Sequence, residues 1–89
     1  MAIAADNFLY SPASIAAPAG ESFRIVFTNN DTSIPHNVSI RDGGGASRFD
    51  GKIFVGVATV TYPVPALASG TYQLACIVHP AMTGTLTAG

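Results

Sequence analysis

The sequence predicts an all-β domain, and three features of the chain support that class. Short apolar and β-branched runs recur between clusters of Gly, Pro, Asn and Asp, which is the pattern of strands separated by turns. No long stretch repeats apolar residues at the i, i+3, i+4 spacing of a helix. Polar Thr59 and Thr61 alternate with Val60 and Tyr62, as expected for a strand with one face in water. About eight such strands suit a two-sheet sandwich or barrel.

Each expected strand is a short run that ends at a turn signal. Turn signals stand at positions 19–20, 29–31 and 69–70, where Gly supplies positive φ and Asn or Asp bonds its own backbone. Tyr72, Leu74 and Cys76 alternate with polar or small residues and are expected to point into the core. A short piece at 8–10 is expected to be irregular. The expected strands are Ala2–Ala5, Ser14–Ala17, Ser22–Thr28, Asn37–Arg41, Ile53–Phe54, Ala58–Pro63, Thr71–Cys76 and Gly84–Ala88.

Composition limits the classes of function that remain. The chain has 89 residues, 48% of them hydrophobic and 10% charged, with a formal net charge of −1. We therefore expect one folded domain spanning residues 1–89 and no nucleic-acid partner. No apolar run reaches the length of about 18 residues that a membrane helix needs, so we expect no membrane contact by this domain. The first six residues lack the charged and apolar regions of a signal peptide, which is thus absent or already removed.

Three consecutive glycines lie within the segment Asp42–Ser47. A phosphate-binding loop would need a following Lys-Ser/Thr and a strand-to-helix context. Neither is present, so we expect a plain flexible loop. Charged side chains crowd around this segment, whereas none occurs from Ile53 to Gly89. We interpret the uncharged stretch as a sheet surface kept in solution by Thr, Ser and Gln, with an apolar docking face as the alternative.

The chemistry-bearing residues fall in two short segments. Cys76, His79 and Met82 have the spacing Cys-x₂-His-x₂-Met directly after an expected strand, and His36 lies upstream in a Pro-His-Asn sequence. A tight loop brings a thiolate, an imidazole and a thioether toward one point, and His36 arrives there from another strand. Soft sulfur with imidazole selects copper, and a trigonal His₂Cys plane with a weak axial Met is typical of a blue-copper electron-transfer site.

Other interpretations of the same residues are weaker. Taken singly, His36 reads as a half-buried strand residue, while Cys76 and Met82 read as core side chains. Zinc prefers sets of Cys and His, and a thioether is an unusual partner for it. A binuclear copper site would need a second cysteine, and Cys76 is the only one. Cys76 beside His79 lacks an orienting acid, so we expect no catalytic residues and no enzyme.

Over nearly its whole length, the sequence resembles the cupredoxins, the small blue-copper family that includes plastocyanin, pseudoazurin and amicyanin. The last of the matching segments has a spacing similar to the short ligand loop of amicyanin. The resemblance implies a Greek-key β-sandwich or barrel of about eight strands in two sheets. The segments that carry it are Asp6–Pro12, Gly20–Glu21, Ile25–Asn30, Pro35–Asn37, Gly70–Tyr72 and Cys76–Met82.

The same resemblance implies a ligand set for one copper ion cycling between Cu(I) and Cu(II). His36, Cys76 and His79 would be the equatorial ligands and Met82 the axial one. Asn37 would tie the two ligand segments together, with its backbone N–H pointing at the cysteine sulfur. The implied function is single-electron transfer between redox partners at a type 1 copper site.

In the family, the ligand that corresponds to His79 reaches the surface within an apolar patch. Here Ile34, Pro35, Pro80 and Ala81 would surround it, and we expect weak, transient apolar docking with redox partner proteins. We also expect a monomer exported to the periplasm or another extracytoplasmic space. Two alternatives stay open. One is an electron-relay domain cut from a larger membrane-anchored or multidomain redox enzyme. The other is a copper carrier or store, although the Met/His-rich tracts expected of one are missing.

Overall fold

The computed structural model describes residues 1–89 and confirms the all-β class. The chain forms eleven strands and no helix, so none of its elements is a helix that could span a membrane. The strands are β1 (Ala2–Asp6), β2 (Leu9–Ser11), β3 (Ser14–Ala17), β4 (Phe23–Asn29), β5 (Pro35–His36), β6 (Ser39–Arg41), β7 (Ser47–Asp50), β8 (Phe54–Val55), β9 (Ala58–Val64), β10 (Gly70–Ala75) and β11 (Thr83–Ala88).

Two sheets make up the body of the domain. The first has the order β2-β1-β4-β9 and the second the order β3-β11-β10-β6-β7, while β5 and β8 form a separate two-stranded ladder. Most neighbours are antiparallel, but β1 runs parallel to β4 and β3 parallel to β11. The β5–β8 ladder pairs His36 with Phe54. His36 therefore lies on a short ladder that is separate from both sheets.

The core lies between the two sheets and follows the alternation of the strands. Ile25 and Phe27 of β4 are fully buried, and so are Leu74 of β10 and Leu86 of β11. All four belong to one cluster of 16 buried residues that also contains Cys76. Burying one such side chain contributes roughly 1.5–3 kcal/mol. The predicted metal segments are thus attached to the best-packed part of the molecule.

All eight expected strands are present within two residues of their predicted ends. The expected strand Asn37–Arg41 begins two residues later, at Ser39, because β5 ends at His36 and pairs with β8, while β6 pairs with β10 and β7. Between β5 and β6, the Asn37 carbonyl accepts the hydroxyl of Tyr10 and the Val38 carbonyl accepts the N–H of Gly51. The backbone changes partners at this point and leaves the ladder.

Three observed strands, β2, β5 and β7, were not expected from the sequence. The piece expected to be irregular at 8–10 contains β2, which pairs with β1 after a tight turn. The end of the expected glycine loop contains the start of β7, which pairs with β6. The loop itself is organised by Asp42, whose Oδ1 accepts the N–H groups of Gly44 and Ala46 at 3.0 Å each. Its flexibility stays a prediction.

Candidate metal centre

His36 and Cys76 meet in the interior at one end of the domain. His36 is fully buried and Cys76 is 2% exposed, and His36 Nδ1 lies 3.9 Å from Cys76 Sγ. On its other side, His36 Nε2 lies 2.7 Å from Oδ2 of Asp31. An ionised carboxylate only accepts hydrogen bonds, so Nε2 carries the hydrogen, and in the neutral imidazole Nδ1 keeps its lone pair. The free nitrogen of this imidazole therefore faces the thiol.

His79 lies beside His36, with the ring centroids 5.0 Å apart and the planes at 66°. Its Nε2 lies 3.1 Å from the carbonyl oxygen of Pro35. A carbonyl only accepts, so His79 also carries its hydrogen on Nε2 and keeps a lone pair on Nδ1. The two imidazoles and the thiol are neighbours. No three His, Cys, Asp or Glu side chains, however, are grouped closely enough in this structure to hold a metal ion at one point.

Met82 closes the loop that begins at Cys76. It is 2% exposed and shares the buried cluster with Cys76. The Met82 N–H donates to the carbonyl of His79 at 2.9 Å, and the Cys76 N–H donates to the carbonyl of Met82 at 3.2 Å. Pro80 fixes its own φ and disfavours helical backbone at His79. The two sulfur-bearing residues are thus held at the ends of a short, hydrogen-bonded loop.

Asn37 joins this loop to the strand that carries His36. Its Oδ1 accepts the N–H of Ile77 at 2.9 Å, while its Nδ2 donates to Ser39 Oγ and to the carbonyl of Gly51, each at 3.0 Å. Its own carbonyl accepts the hydroxyl of Tyr10 at 2.6 Å. The side chain is fully buried and both amide hydrogens are used. The expected bond from the Asn37 N–H to the cysteine sulfur stays a prediction.

Sequence reasoning missed two residues of this region, Asp31 and Phe8. Asp31 accepts the N–H of Asn7 on Oδ1 at 2.8 Å and that of Phe8 on Oδ2 at 3.2 Å, in addition to His36. The Phe8 ring stands edge-on to both imidazoles, with centroids 4.9 Å from His79 and 5.7 Å from His36. The available signal was a carboxylate shortly before His36, in a stretch that otherwise reads as a turn.

Three ionisable groups around the site have shifted pKa values. The hydrogen bond from His36, with those from the N–H groups of Asn7 and Phe8, lowers the pKa of Asp31 against the opposing effect of partial burial. Burial, and then the neighbouring Cys76, raises the pKa of Tyr10 well above its ordinary range. The same causes raise the pKa of Tyr62 to about 12. Both tyrosines therefore stay neutral and can act as hydrogen-bond donors across the physiological range.

The surface in front of His79 is apolar and wider than the expected patch. Of the expected residues, Pro80 and Ala81 are exposed, whereas Ile34 and Pro35 are half-buried. A shallow pocket of about 520 Å³ opens beside His79, and Phe8, Leu9 and Val78 also line it. Leu9 is 65% exposed. Phe8 and Leu9 thus add apolar surface beside His79. They were not among the residues expected there from the sequence, because they lie far from His79 along the chain.

The donor chemistry of the two segments fits a copper ion. One thiol, two imidazoles with free Nδ1 lone pairs and one thioether lie at the same end of the fold, and thiolate with imidazole and thioether is the combination that suits copper. The thiol and the thioether are buried in an apolar cluster, and such surroundings limit solvent access to a bound metal.

Comparison with known proteins identifies the family. The family model described as a cupredoxin-like domain matches residues 1–88, so the chain belongs to the cupredoxin-like family. No curated protein matches the sequence significantly.

Solved structures share this fold over almost the whole chain. A reduced auracyanin from Roseiflexus castenholzii is 23% identical, with a TM-score of 0.85 over 99% of this chain and 94% of that one. Auracyanin A, a blue copper protein from Chloroflexus aurantiacus, is 19% identical, with a TM-score of 0.86 over 100% and 97%. A purple cupredoxin from Nitrosopumilus maritimus is 26% identical, with a TM-score of 0.74 over 99% and 98%.

Proposed function

We propose that this protein is a type 1 copper electron carrier, not an enzyme, in which His36, Cys76, His79 and Met82 hold one copper ion. The observation that carries the proposal is the buried approach of His36 Nδ1 to Cys76 Sγ at 3.9 Å, in a chain of the cupredoxin-like family. Bound copper would supply a one-electron couple between Cu(I) and Cu(II).

The protonation of the donors suits this role. Both histidines carry hydrogen on Nε2, bonded to Asp31 in one case and to the Pro35 carbonyl in the other. Each therefore offers Nδ1 to a metal without losing a proton. Cys76 binds as the thiolate and must release its proton, so copper binding is expected to weaken as the pH falls.

The scaffold limits rearrangement around the donors. Asn37 bonds the Ile77 N–H of the loop and the Gly51 carbonyl across the strand junction. Buried hydrogen bonds of this kind hold ligand side chains close to one geometry. A carrier that exchanges one electron with little structural change needs such support, and it needs no substrate pocket.

The apolar surface around His79 supports transient docking with a redox partner protein. Leu9, Phe8, Pro80 and Ala81 are exposed there, and the chain has no charged residue after Lys52. A small apolar contact of this kind binds weakly and releases quickly. We propose electron entry and exit through His79, a monomeric carrier, and an exported protein in the periplasm or another extracytoplasmic space.

Adding Cu(II) to metal-free protein tests the ligand set. We expect an intense visible thiolate band and a narrow copper hyperfine splitting in the EPR spectrum. Cys76→Ser is expected to abolish the band while the far-ultraviolet circular dichroism stays unchanged. Ala75→Ser is the matched control, because it adds the same hydroxyl at the neighbouring buried position and keeps the thiol. A pale spectrum with ordinary cupric splitting in the unmodified protein would contradict the proposal.

Electron self-exchange, measured by NMR line broadening in mixtures of reduced and oxidised protein, tests the docking surface. Leu9→Lys places a charge in the apolar surface at His79, and two like charges then meet in each encounter. We expect the self-exchange rate to fall about tenfold. Val26→Lys is the control, since Val26 is exposed on β4 but does not line the pocket beside His79. Equal effects of the two changes would exclude this surface.

A further inference from the structure

We infer that Asp31 is a positioning residue of the metal centre. Its carboxylate sets which nitrogen of His36 faces Cys76, and it holds the Phe8 turn against both imidazoles. The tautomer part of this inference stands on the structure alone, while the metal-affinity part rests on the proposed copper function.

The carboxylate of Asp31 is shared between a turn and a buried ring. Oδ1 takes the N–H of Asn7, and Oδ2 takes both the N–H of Phe8 and Nε2 of His36. The Asp31 N–H in turn donates to Oδ1 of Asn29 at 2.9 Å, and Nδ2 of Asn29 donates to the Ile34 carbonyl. Backbone and side chain of Asp31 are therefore both fixed. Its side chain is 13% exposed and that of His36 is fully buried.

The turn that Asp31 caps has an unusual backbone. Asn7 and Phe8 have φ values of +53° and +63°, and a bulky side chain rarely adopts this left-handed region. Such strain persists only where surrounding contacts enforce it, and it is concentrated at functional sites. Here the two-residue loop of the β1–β2 hairpin requires this region at both positions, and the two bonds to Asp31 hold the loop in place. The result is that the Phe8 ring stands edge-on to His36 and His79.

The bond to His36 decides the chemistry of that ring. A buried imidazole with an acceptor on Nε2 keeps its hydrogen there and presents Nδ1 as a lone pair. Without the acceptor, the ring is free to carry its hydrogen on Nδ1, where it blocks a metal at the Cys76 side. Carboxylates that orient a histidine ligand in this way typically contribute 10–100-fold to metal affinity.

Asp42 provides a matched control within the same chain. It also accepts two backbone N–H groups, although these belong to its own turn rather than to a distant one, and its third partner is Arg48. Asp31→Ala and Asp42→Ala therefore each remove two bonds to backbone N–H groups, but only Asp31→Ala removes a partner of an imidazole. Asp31→Asn keeps one oxygen that can still accept from His36.

Long-range ¹H–¹⁵N spectra of the metal-free protein report the histidine tautomers directly. We expect His36 to be the Nε2–H tautomer in the unmodified protein, in Asp42→Ala and in Asp31→Asn. A large Nδ1–H fraction is expected in Asp31→Ala. In competition titrations, Cu(II) affinity is expected to fall 10–100-fold in Asp31→Ala and to stay unchanged in Asp42→Ala.

Several outcomes would overturn the inference. One such outcome is that His36 carries its hydrogen on Nδ1 in the unmodified protein. This result would overturn the inference even if Asp31→Ala failed to fold. The inference would also fail if the His36 tautomer were unchanged in Asp31→Ala. It would fail as well if Asp31→Asn changed the tautomer as much as Asp31→Ala does. Failure of the copper proposal can be distinguished from failure of the tautomer inference. The unmodified protein would then show no thiolate band, while the tautomers still followed Asp31.

Discussion

Asp31 and Asp42 each cap a turn by accepting two backbone N–H groups, and each accepts one further bond from a side chain. For Asp42 that side chain is Arg48, which is 56% exposed. For Asp31 it is His36, which is fully buried and lies against Cys76. An exposed ion pair contributes little to stability and is screened by salt. A carboxylate with two backbone bonds therefore orders its own loop at Asp42, whereas at Asp31 it joins two distant segments of the chain and orients a candidate metal ligand.

The bonds of both carboxylates to backbone N–H groups are exposed, and the contrast lies in the surroundings of their third partners. Around His36 the polar groups are buried and fully paired, with Asn37 bonded to Ile77, Ser39 and Gly51. Around Asp42 the hydrogen bonds are exposed to water. A buried polar network rigidifies its surroundings when it is complete and is costly when it is broken. The comparison predicts that matched substitutions will be far more damaging at the His36 end.

The largest expected effect comes from Asn37→Ala. The change removes three hydrogen bonds and leaves buried groups unpaired, each of which costs roughly 1–3 kcal/mol. We expect the free energy of unfolding of the metal-free protein to fall by about 3 kcal/mol in urea titrations. Ser47→Ala removes one exposed bond to Asp50 and is expected to change stability by less than about 0.5 kcal/mol. Similar losses in the two variants would break the comparison.

Glycine substitutions test the same contrast between the buried region around Asn37 and the exposed loop around Asp42. A Cβ on Gly51 would lie 2.7 Å from the Val38 carbonyl oxygen and 2.8 Å from the Tyr62 ring. Overpacking of this kind typically costs 1–3 kcal/mol, so we expect Gly51→Ala to lower the free energy of unfolding by about 2 kcal/mol. A Cβ on Gly43 meets nothing within 4 Å, and Gly43→Ala is expected to be neutral within about 0.5 kcal/mol. A neutral Gly51→Ala would show that this junction is not tightly packed.

The parts of the fold that depend on local pattern were predictable from the sequence. Alternation along Ala58–Val64 and Gly70–Ala75 marks strands β9 and β10, and their inward side chains Tyr62 and Leu74 are buried as expected. Strand β7 was not predictable, because Ser-Arg-Phe-Asp has little intrinsic strand preference and forms a strand through pairing with β6. In such cases tertiary context overrides propensity.

The candidate site also combines features that the local sequence predicts with features that only the assembled fold shows. The spacing from Cys76 to Met82 is local, so a tight loop there could be predicted. The approach of His36 to Cys76 could be predicted only from the chemistry of rare residue types, since nothing in the local pattern joins segments so far apart. The bond between Asp31 and His36 had only a weak signal in the sequence, a carboxylate shortly before the histidine. The position of Asp31 after two asparagines is typical of a turn, and only the assembled fold brings its second oxygen to a buried imidazole.

The smallest expected effect concerns the pH dependence of the Asp42 turn. Hydrogen bonds from Ala46 and Gly44, with Arg48, lower the pKa of Asp42 below its ordinary value of 3.8. Between the lowered value and 3.8 the unfolded chain binds more protons than the folded one. The stabilisation is therefore complete above pH 3.8 and is lost as the pH falls through the lowered value.

Asp42→Asn mimics the protonated carboxyl at every pH and isolates this contribution. We expect its melting temperature to lie below that of the unmodified protein at pH 7 and the two to converge as the pH falls below the lowered pKa of Asp42. Because the Arg48 side chain of the pair is exposed, the difference at pH 7 is expected to shrink in 1 M salt. A difference that stayed constant from pH 7 to a pH below that lowered pKa would mean that the carboxylate charge contributes nothing and that the turn depends on its oxygen acceptors alone. The contrast with Asp31 would then lie in the shape of the two turns rather than in the burial of their third partner.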